Sequence, residues 1–132
     1  MTETPLEQAI RTGSLGSLWA QLQPDVPAVI AAEKVLAFDD LNRRANQIVR
    51  MLQASGIAFG DSVALLCSNR AEFVEVAQAV NRSGLRLTPI IWHITPEEAA
   101  YVDADCGAKA LFADVRFSET AQAAAEAAKP TL

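Results

Sequence analysis

The chain has 132 residues, 51% of them hydrophobic and 20% charged, which is enough to bury the core of one modest domain and too apolar for a disordered segment. Its formal net charge of −5 argues against DNA or RNA as a partner, because such binders carry a basic face, and no polybasic patch suits an anionic membrane surface. No apolar run approaches the ~20 residues that span a bilayer, Met1 to Arg11 has neither the basic start nor the apolar core of a signal peptide, and Cys67 and Cys106 make no disulfide framework. A reducing, cytoplasmic compartment is therefore expected.

In chain order, Pro5 to Trp19 reads as an amphipathic lead-in that Gly13 and Gly16 should break, and Pro24 and Pro27 mark a loop around Asp25. Ala28-Val29-Ile30-Ala31 and Val35-Leu36-Ala37-Phe38 are short apolar runs either side of Glu33 and Lys34, which predicts a hairpin. Asp39 then opens a helix in which Leu41, Ala45, Ile48, Val49 and Leu52 share one face, with Gly56 as its carboxy-terminal stop. Val63-Ala64-Leu65-Leu66-Cys67 is a continuous apolar run that suits a buried parallel strand.

Asn69 stands three residues before Glu72, a capping-box spacing that predicts a helix with Phe73, Val76, Ala77 and Val80 buried and Gly84 at its end. Leu85 to Ile91 reads as a strand. Thr95-Pro96-Glu97-Glu98 starts another helix, with Thr95 capping, Pro96 in the first position and Glu98 reaching back, and Gly107 closes it. Ala108 to Ala113 is a further strand, and Phe117 to Lys129 an alanine-rich helix.

Strand and helix thus alternate from Val63 onward. The expected fold class is α/β: a doubly wound, mainly parallel sheet with flanking helices and right-handed crossovers, preceded by a short hairpin. There is no internal repeat. A parallel sheet needs covering on both faces, and nothing near Pro130-Thr131-Leu132 closes this one, so more chain is expected to finish it.

Few residues in the sequence carry a recognisable chemistry. The chain has no Gly-x-Gly-x-x-Gly after a strand and no Gly-x-x-x-x-Gly-Lys-Ser/Thr. Asp39-Asp40 resembles a magnesium-holding acidic pair, but a helix start, with Asp39 capping, explains both residues. His93, Cys67 and Cys106 match no common zinc spacing. Cys67 at a strand end has no base or cation beside it in the sequence to activate it, and Asp103 and Asp105 point to different sides of a helix. Trp92 and His93 follow a strand, where doubly wound sheets bind ligands, and are the candidates for a substrate pocket; a packed indole beside a loop histidine explains them as well.

The ordered stretches resemble one superfamily over about three quarters of the chain. Leu36-Ala37-Phe38-Asp39-Asp40-Leu41-Asn42-Arg43-Arg44-Ala45-Asn46 is similar to a strand followed by a Tyr-x-Glu-Leu-type helix start, with Phe38 and Asp40 in place of Tyr and Glu. Gly56-Ile57-Ala58-Phe59-Gly60-Asp61-Ser62-Val63-Ala64 resembles Gly-Val-x-x-Gly-Asp-x-Val-Ala, and Ser68 to Phe73 the helix start after it. Ser83-Gly84-Leu85-Arg86-Leu87-Thr88-Pro89-Ile90 resembles Ala-Gly-x-x-x-x-Pro-Ile. Thr95 to Tyr101 and Asp105-Cys106-Gly107-Ala108-Lys109 complete the series. The family so resembled is the adenylate-forming one of acyl-CoA synthetases, luciferases and peptide-synthetase adenylation domains. Trp92 to Glu98 leans toward fatty-acyl-CoA synthetases, and Ile91-Trp92 in place of Asn or Asp leans away from amino-acid-activating members.

The resemblance implies that residues 1–132 are the amino-terminal portion of an AMP-binding domain, without its ATP loop or carboxy-terminal domain. It implies ATP, magnesium and coenzyme A for the parent ligase and none of them held by this chain. No catalytic, cofactor-binding or metal residue carries over, which leaves Trp92 and His93 as pocket candidates. The implied partner is the remainder of the same polypeptide, and a homodimer is compatible with it. A stand-alone flavodoxin-like binding module is the alternative.

Overall fold

The computed structural model describes residues 2–128, so Met1, Lys129 and Pro130-Thr131-Leu132 lie outside it. The described residues divide into two compact units.

The first unit holds α1 (Pro5–Thr12), α2 (Leu15–Leu22), the antiparallel hairpin of β1 (Pro27–Ile30) and β2 (Val35–Ala37), α3 (Phe38–Ala54) and α4 (Ala71–Arg82). Helix α1 starts on a capping box, in which the Thr4 hydroxyl accepts from the Glu7 N–H and the Glu7 carboxylate accepts from the Thr4 N–H. Gly13 ends it at φ +68°. Gly16 does not break the chain, as its residue type suggests, but is buried inside α2. A Cβ there would lie 2.5 Å from the Gln78 side-chain oxygen, so this glycine allows α2 to approach α4. Leu41, Ala45 and Leu52 are the fully buried positions of the expected face of α3.

Two expected caps are corrected. Asp39 is not the cap of α3: Ala37 occupies that position, the Asp40 carboxylate reaches back to its N–H at 3.4 Å, and Asp39 pairs with Arg43 at 3.1 Å. Asn69 does not cap α4, whose cap position is Arg70. The Glu33 carboxylate of the hairpin loop accepts from the Ala71 N–H at 2.9 Å and does that work from 38 residues away. The next loop residue, Lys34, reaches Glu72 at 2.8 Å and the buried Glu75 at 3.1 Å. The attraction raises the Lys34 pKa and lowers that of Glu72. Arg82 donates to the Asn42 and Asn46 carbonyl oxygens at 2.8 and 2.7 Å and ties α4 to α3. The buried stripe of α4 is Ala71, Glu75, Val76, Ala79 and Val80, and the expected Phe73 and Ala77 are both only half-buried.

The second unit holds β3 (Ser62–Leu66), β4 (Arg86–Ile90), α5 (Pro96–Cys106), β5 (Ala108–Ala113), a 3-10 turn (Val115–Phe117) and α6 (Ser118–Ala127). The strands are parallel in the order β4-β3-β5, and all five residues of the central β3 are buried. Cys67 falls just beyond β3, and the expected last helix begins one residue late because Phe117 closes the turn. Helix α5 follows its sequence signals: Thr95 and Glu98 form the capping box, Pro96 takes the first position, and Gly107 ends it at φ +62°. Ala99 of α5 and Ala124 of α6 are buried with Ala64, Leu66 and Ile90 in one core cluster, and Val102 and Ala121 pack against it.

Gly13 and Gly107 share a left-handed conformation but differ in their surroundings. A Cβ at Gly13 would lie 2.7 Å from the Asn81 carbonyl oxygen, whereas nothing is within 4 Å at Gly107. Gly107→Ala is expected to cost about 1 kcal/mol and Gly13→Ala about 2–4 kcal/mol in urea unfolding, since only the second adds a steric clash to the backbone strain. Equal losses would show that the approach at Asn81 relaxes freely.

Candidate functional site

The three parallel strands deliver their carboxyl ends to one edge of the second unit. Leu66 leads into Cys67 and Ser68, Ile90 into Ile91, Trp92 and His93, and Ala113 into Asp114. The Asp114 N–H donates to the Leu66 carbonyl at 2.9 Å, so the β3–β5 ladder continues one residue beyond β5 and holds Asp114 in place. The Asp114 side chain is 1% exposed.

A buried carboxylate needs donors, and the turn after β5 supplies them. Asp114 accepts from the Arg116 backbone N–H at 3.0 Å, from Arg116 Nε at 3.0 Å and from Nη2 at 2.7 Å. The same Nη2 also donates to the Ser68 hydroxyl, which joins the ends of β3 and β5. Arg116 lies with its guanidinium carbon 5.5 Å from the centre of the Phe117 ring. Phe117 stacks on Trp92, with centroids 5.7 Å apart and planes at 21°, and Trp92 lies against His93. A row of guanidinium and rings therefore runs from β5 to the end of β4, with Trp92 40% exposed.

Both expected pocket residues fall here, but on different surroundings. His93 lines a shallow depression of about 520 Å³ with Ile91, Ile94, Glu98, Tyr101 and Val102, and Trp92 does not. The Glu98 carboxylate in that depression is already engaged at the Thr95 N–H. Sequence reading missed Asp114, Arg116 and Phe117. Their signal was an aspartate directly after an apolar strand with an arginine two positions on, the spacing of a side chain folding back over a tight turn.

The remaining candidates are structural. Asp39 and Asp40 both pair with Arg43, at 3.1 and 2.6 Å. Among the described residues no group of three His, Cys, Asp or Glu side chains could hold a metal ion. Asp105 is exposed and Asp103 is 2% exposed, so they form no carboxylate pair. Asp103 Oδ1 is buried without a hydrogen-bond partner, and burial raises its pKa above the ordinary value of 3.8.

The family model described as AMP-binding enzyme matches residues 17–132. The chain is 34% identical, over 76% of its length, to the fatty acid–[acyl-carrier-protein] ligase ScoC of Streptomyces coeruleorubidus, of which it covers 20%. It is 32% identical, over 66% of its length, to tyrocidine synthase 2 of Brevibacillus parabrevis, covering 2% of that protein. Among solved structures it is similar to a candidate long-chain-fatty-acid CoA ligase from Rhodopseudomonas palustris CGA009, with a TM-score of 0.80 and 25% identity over 86% of this chain and 29% of the other. The chain thus spans about a fifth of the length of the first of these relatives, and far less of the second.

The raised pKa of Asp103 sets the sign of a pH effect. The folded chain binds this proton more tightly than the unfolded one, so the associated stability is full below about pH 3.8 and is lost as pH rises through the higher folded value. Asp103→Asn is expected to flatten this fall and to raise the urea midpoint at pH 7. An unchanged pH profile of unfolding would show that Asp103 is ionised and solvated in the folded chain.

Proposed function

The chain belongs to the AMP-binding enzyme family, and we propose that it is the amino-terminal part of the large domain of an ATP-dependent acyl-CoA synthetase acting on a fatty acid. In the proposed parent reaction a carboxylate oxygen attacks the α-phosphorus of ATP and pyrophosphate leaves, giving acyl-AMP. The thiol of coenzyme A then attacks the acyl carbon and AMP leaves. The observation that carries the fatty-acid part of this reading is the 34% identity to a fatty acid–[acyl-carrier-protein] ligase through three quarters of the chain, and the likeness to a long-chain-fatty-acid CoA ligase supports coenzyme A as the acceptor. The Trp92-His93-Ile94-Thr95-Pro96-Glu97-Glu98 run, which resembles fatty-acyl members, supports it.

Among the described residues no group fits the phosphates of ATP or a magnesium ion. Phosphate transfer needs cations and backbone amides aimed at the phosphates. The one arginine at the strand ends, Arg116, is bound to Asp114 and Ser68, and the described residues offer no carboxylate cluster for a metal. The chain's own contribution is scaffold: β3, β4 and β5 set the positions of the strand ends, and Asp114 and Arg116 hold two of those ends together. Trp92 and His93 are proposed to border the route of the acyl or thiol substrate, because they stand exposed at the carboxyl end of β4. Among the described residues no helix is long and apolar enough to cross a membrane; a cytoplasmic site of action, where ATP and coenzyme A meet, belongs to the same proposal.

The similarity to tyrocidine synthase 2 supports a second reading, in which the adenylated carboxylate is an amino acid, and the similarity to ScoC leaves an acyl-carrier protein as the alternative acceptor to coenzyme A. A stand-alone flavodoxin-like module has no comparable support.

The intact gene product, captured from its native host and weighed by mass spectrometry, is expected to be several times heavier than the 14.1 kDa chain. That longer product should show fatty-acid-dependent exchange of pyrophosphate into ATP and form acyl-CoA. The 132-residue chain should show neither. Pyrophosphate release by the purified short chain, with contaminating enzyme excluded, would overturn the scaffold assignment, and amino-acid-dependent exchange by the longer product would favour the second reading. In the longer product, Trp92→Ala and His93→Ala are expected to raise the KM for fatty acid or coenzyme A about 3- to 30-fold with little change in kcat, as loss of a binding contact does. Unchanged KM values for both substrates would remove these residues from the route.

A further inference from the structure

We propose that the solvent face of α3 in one copy of this protein docks, head to tail, in the acid-rimmed apolar depression along α5 of a second copy. The inference goes beyond the ligase reading and does not depend on it, because it rests on two complementary surfaces and not on the reaction.

The depression is the receiving surface. Its walls include Ile91, Tyr101 and Val102, and Ile91 is 64% and Tyr101 71% exposed, so large apolar groups stand in water that a partner would displace. Its surroundings are acidic. Glu97 and Glu98 line it, Asp105 is exposed further along α5, and no Lys or Arg occurs between Arg86 and Lys109. Helix α6, which shares a core cluster with α5, adds Glu119 and Glu126 and no cation within Ser118–Ala127. Glu98 is committed to the Thr95 N–H, whereas Glu97 has no ion-pair partner among the described residues. Such a rim repels an acidic carrier protein or an anionic membrane and favours a cationic segment with an apolar side chain to offer.

Helix α3 carries that segment. Arg43, Gln47, Arg50, Met51 and Ala54 are all exposed and recur at the spacing of one helix face, opposite the buried Leu41, Ala45 and Leu52. Asp39 and Asp40 take up Arg43, and after Asp40 no Asp or Glu occurs before Asp61. Arg50 has no ion-pair partner among the described residues, and Met51 beside it is 49% exposed. The other described helices lack this combination: α1 carries Glu7 with Arg11, α2 has no charged residue, α4 carries Glu72 and Glu75 with Arg82, and α5 and α6 are acidic.

In the proposed contact Met51 enters the depression against Ile91, Tyr101 and Val102, and Arg50 pairs with Glu97 of the other copy. A thioether is flexible enough to fill a shallow, irregular hollow. The helix ridge of Gln47, Met51 and Ala54 then lies along α5 as one helix packs on another. The two surfaces differ, so the contact is heterologous. It joins copies into rings or open chains, unlike the isologous contact of a simple two-fold dimer. One helix face on a shallow depression makes a small interface, and its charges are exposed, so the association is weak and sensitive to salt.

The test is sedimentation of the intact gene product over a range of concentrations. Its average mass should rise with concentration, and the association should weaken about 3- to 10-fold as ionic strength goes from about 0.05 M to about 0.5 M. Arg50→Glu and Glu97→Arg, each alone, should weaken it about 10-fold or more by placing like charges together. A 1:1 mixture of the two variants, and the double variant R50E/E97R, should restore it to within about 3-fold, because opposite charges face each other again. Both side chains are exposed and unpaired, so the thermal midpoints of the variants, followed by circular dichroism, should stay close to that of the parent. A mass independent of concentration would overturn the proposal, as would association that survives the single reversals, or single reversals that do not rescue one another. Association of the 132-residue chain but not of a longer intact product would mean that further polypeptide covers one of the two faces, and would overturn it too. None of these outcomes bears on pyrophosphate exchange, which tests the ligase reading separately.

Discussion

Burial of β3 along its whole length is possible only because β4 and β5 take up its peptide groups on both sides. Ser62 to Leu66 has almost no contact with water to fall back on, so each N–H and carbonyl must find a partner in a neighbouring strand. That requirement fixes the register of β4 and β5 against β3. It also places Ser68, Trp92 and Asp114 at one edge without any of them needing to recognise another directly. The cluster at this edge is a consequence of backbone pairing, which then allows Arg116 to span from Asp114 to Ser68.

Charge is buried at several points, and with different degrees of compensation. Glu75 has Lys34 at 3.1 Å and Arg44 at 3.6 Å, and Asp114 has three donors from Arg116. These carboxylates retain in the fold much of what water would have given them. Arg82 is satisfied through one nitrogen by two asparagines, while its Nε and Nη2 are buried without a partner, and burial lowers its pKa. Asp103 has no compensating partner at Oδ1, and burial raises its pKa. Glu75, Asp114 and Arg82 join segments that are separate elements of the fold, so their loss would loosen tertiary structure. Asp103 joins nothing through Oδ1, and its presence in α5 is a cost to stability that nothing in the structure explains.

Legibility in the sequence followed the range of the interaction. The helix α5 was readable end to end because every determinant, from Thr95 to Gly107, lies within or beside the helix. Strand β5 was read with its observed bounds, since a short apolar run between a glycine and a charged turn has few other outcomes. The start of α4 was misread because its free amide is capped by Glu33, and no local pattern announces a partner 38 residues away. Gly16 was misread for a related reason: its backbone is helical, and what lies against it is the Gln78 side chain of another helix, remote in the sequence. At the candidate site, Trp92 and His93 could be placed by their position after a strand, but the stacking of Phe117 on Trp92 depends on the β3–β5 pairing and had no local signature.

The same distinction of range explains why a family is recognisable in a chain that spans only about a fifth of the length of a relative it resembles. Turns such as Gly56 to Asp61, the capping box at Thr95 and the strand–helix alternation are set by backbone requirements, which admit few residue types at each place. A fatty acid–[acyl-carrier-protein] ligase and a tyrocidine synthase both resemble this chain, over 76% and 66% of its length. Choice of carboxylate and of thiol acceptor depends instead on a small number of side chains around a pocket, and a pocket tolerates many solutions on one scaffold. An exposed indole and imidazole at the end of β4 are among the few features of this chain whose residue types the scaffold does not dictate. They are where differences among otherwise similar members would be expected to register.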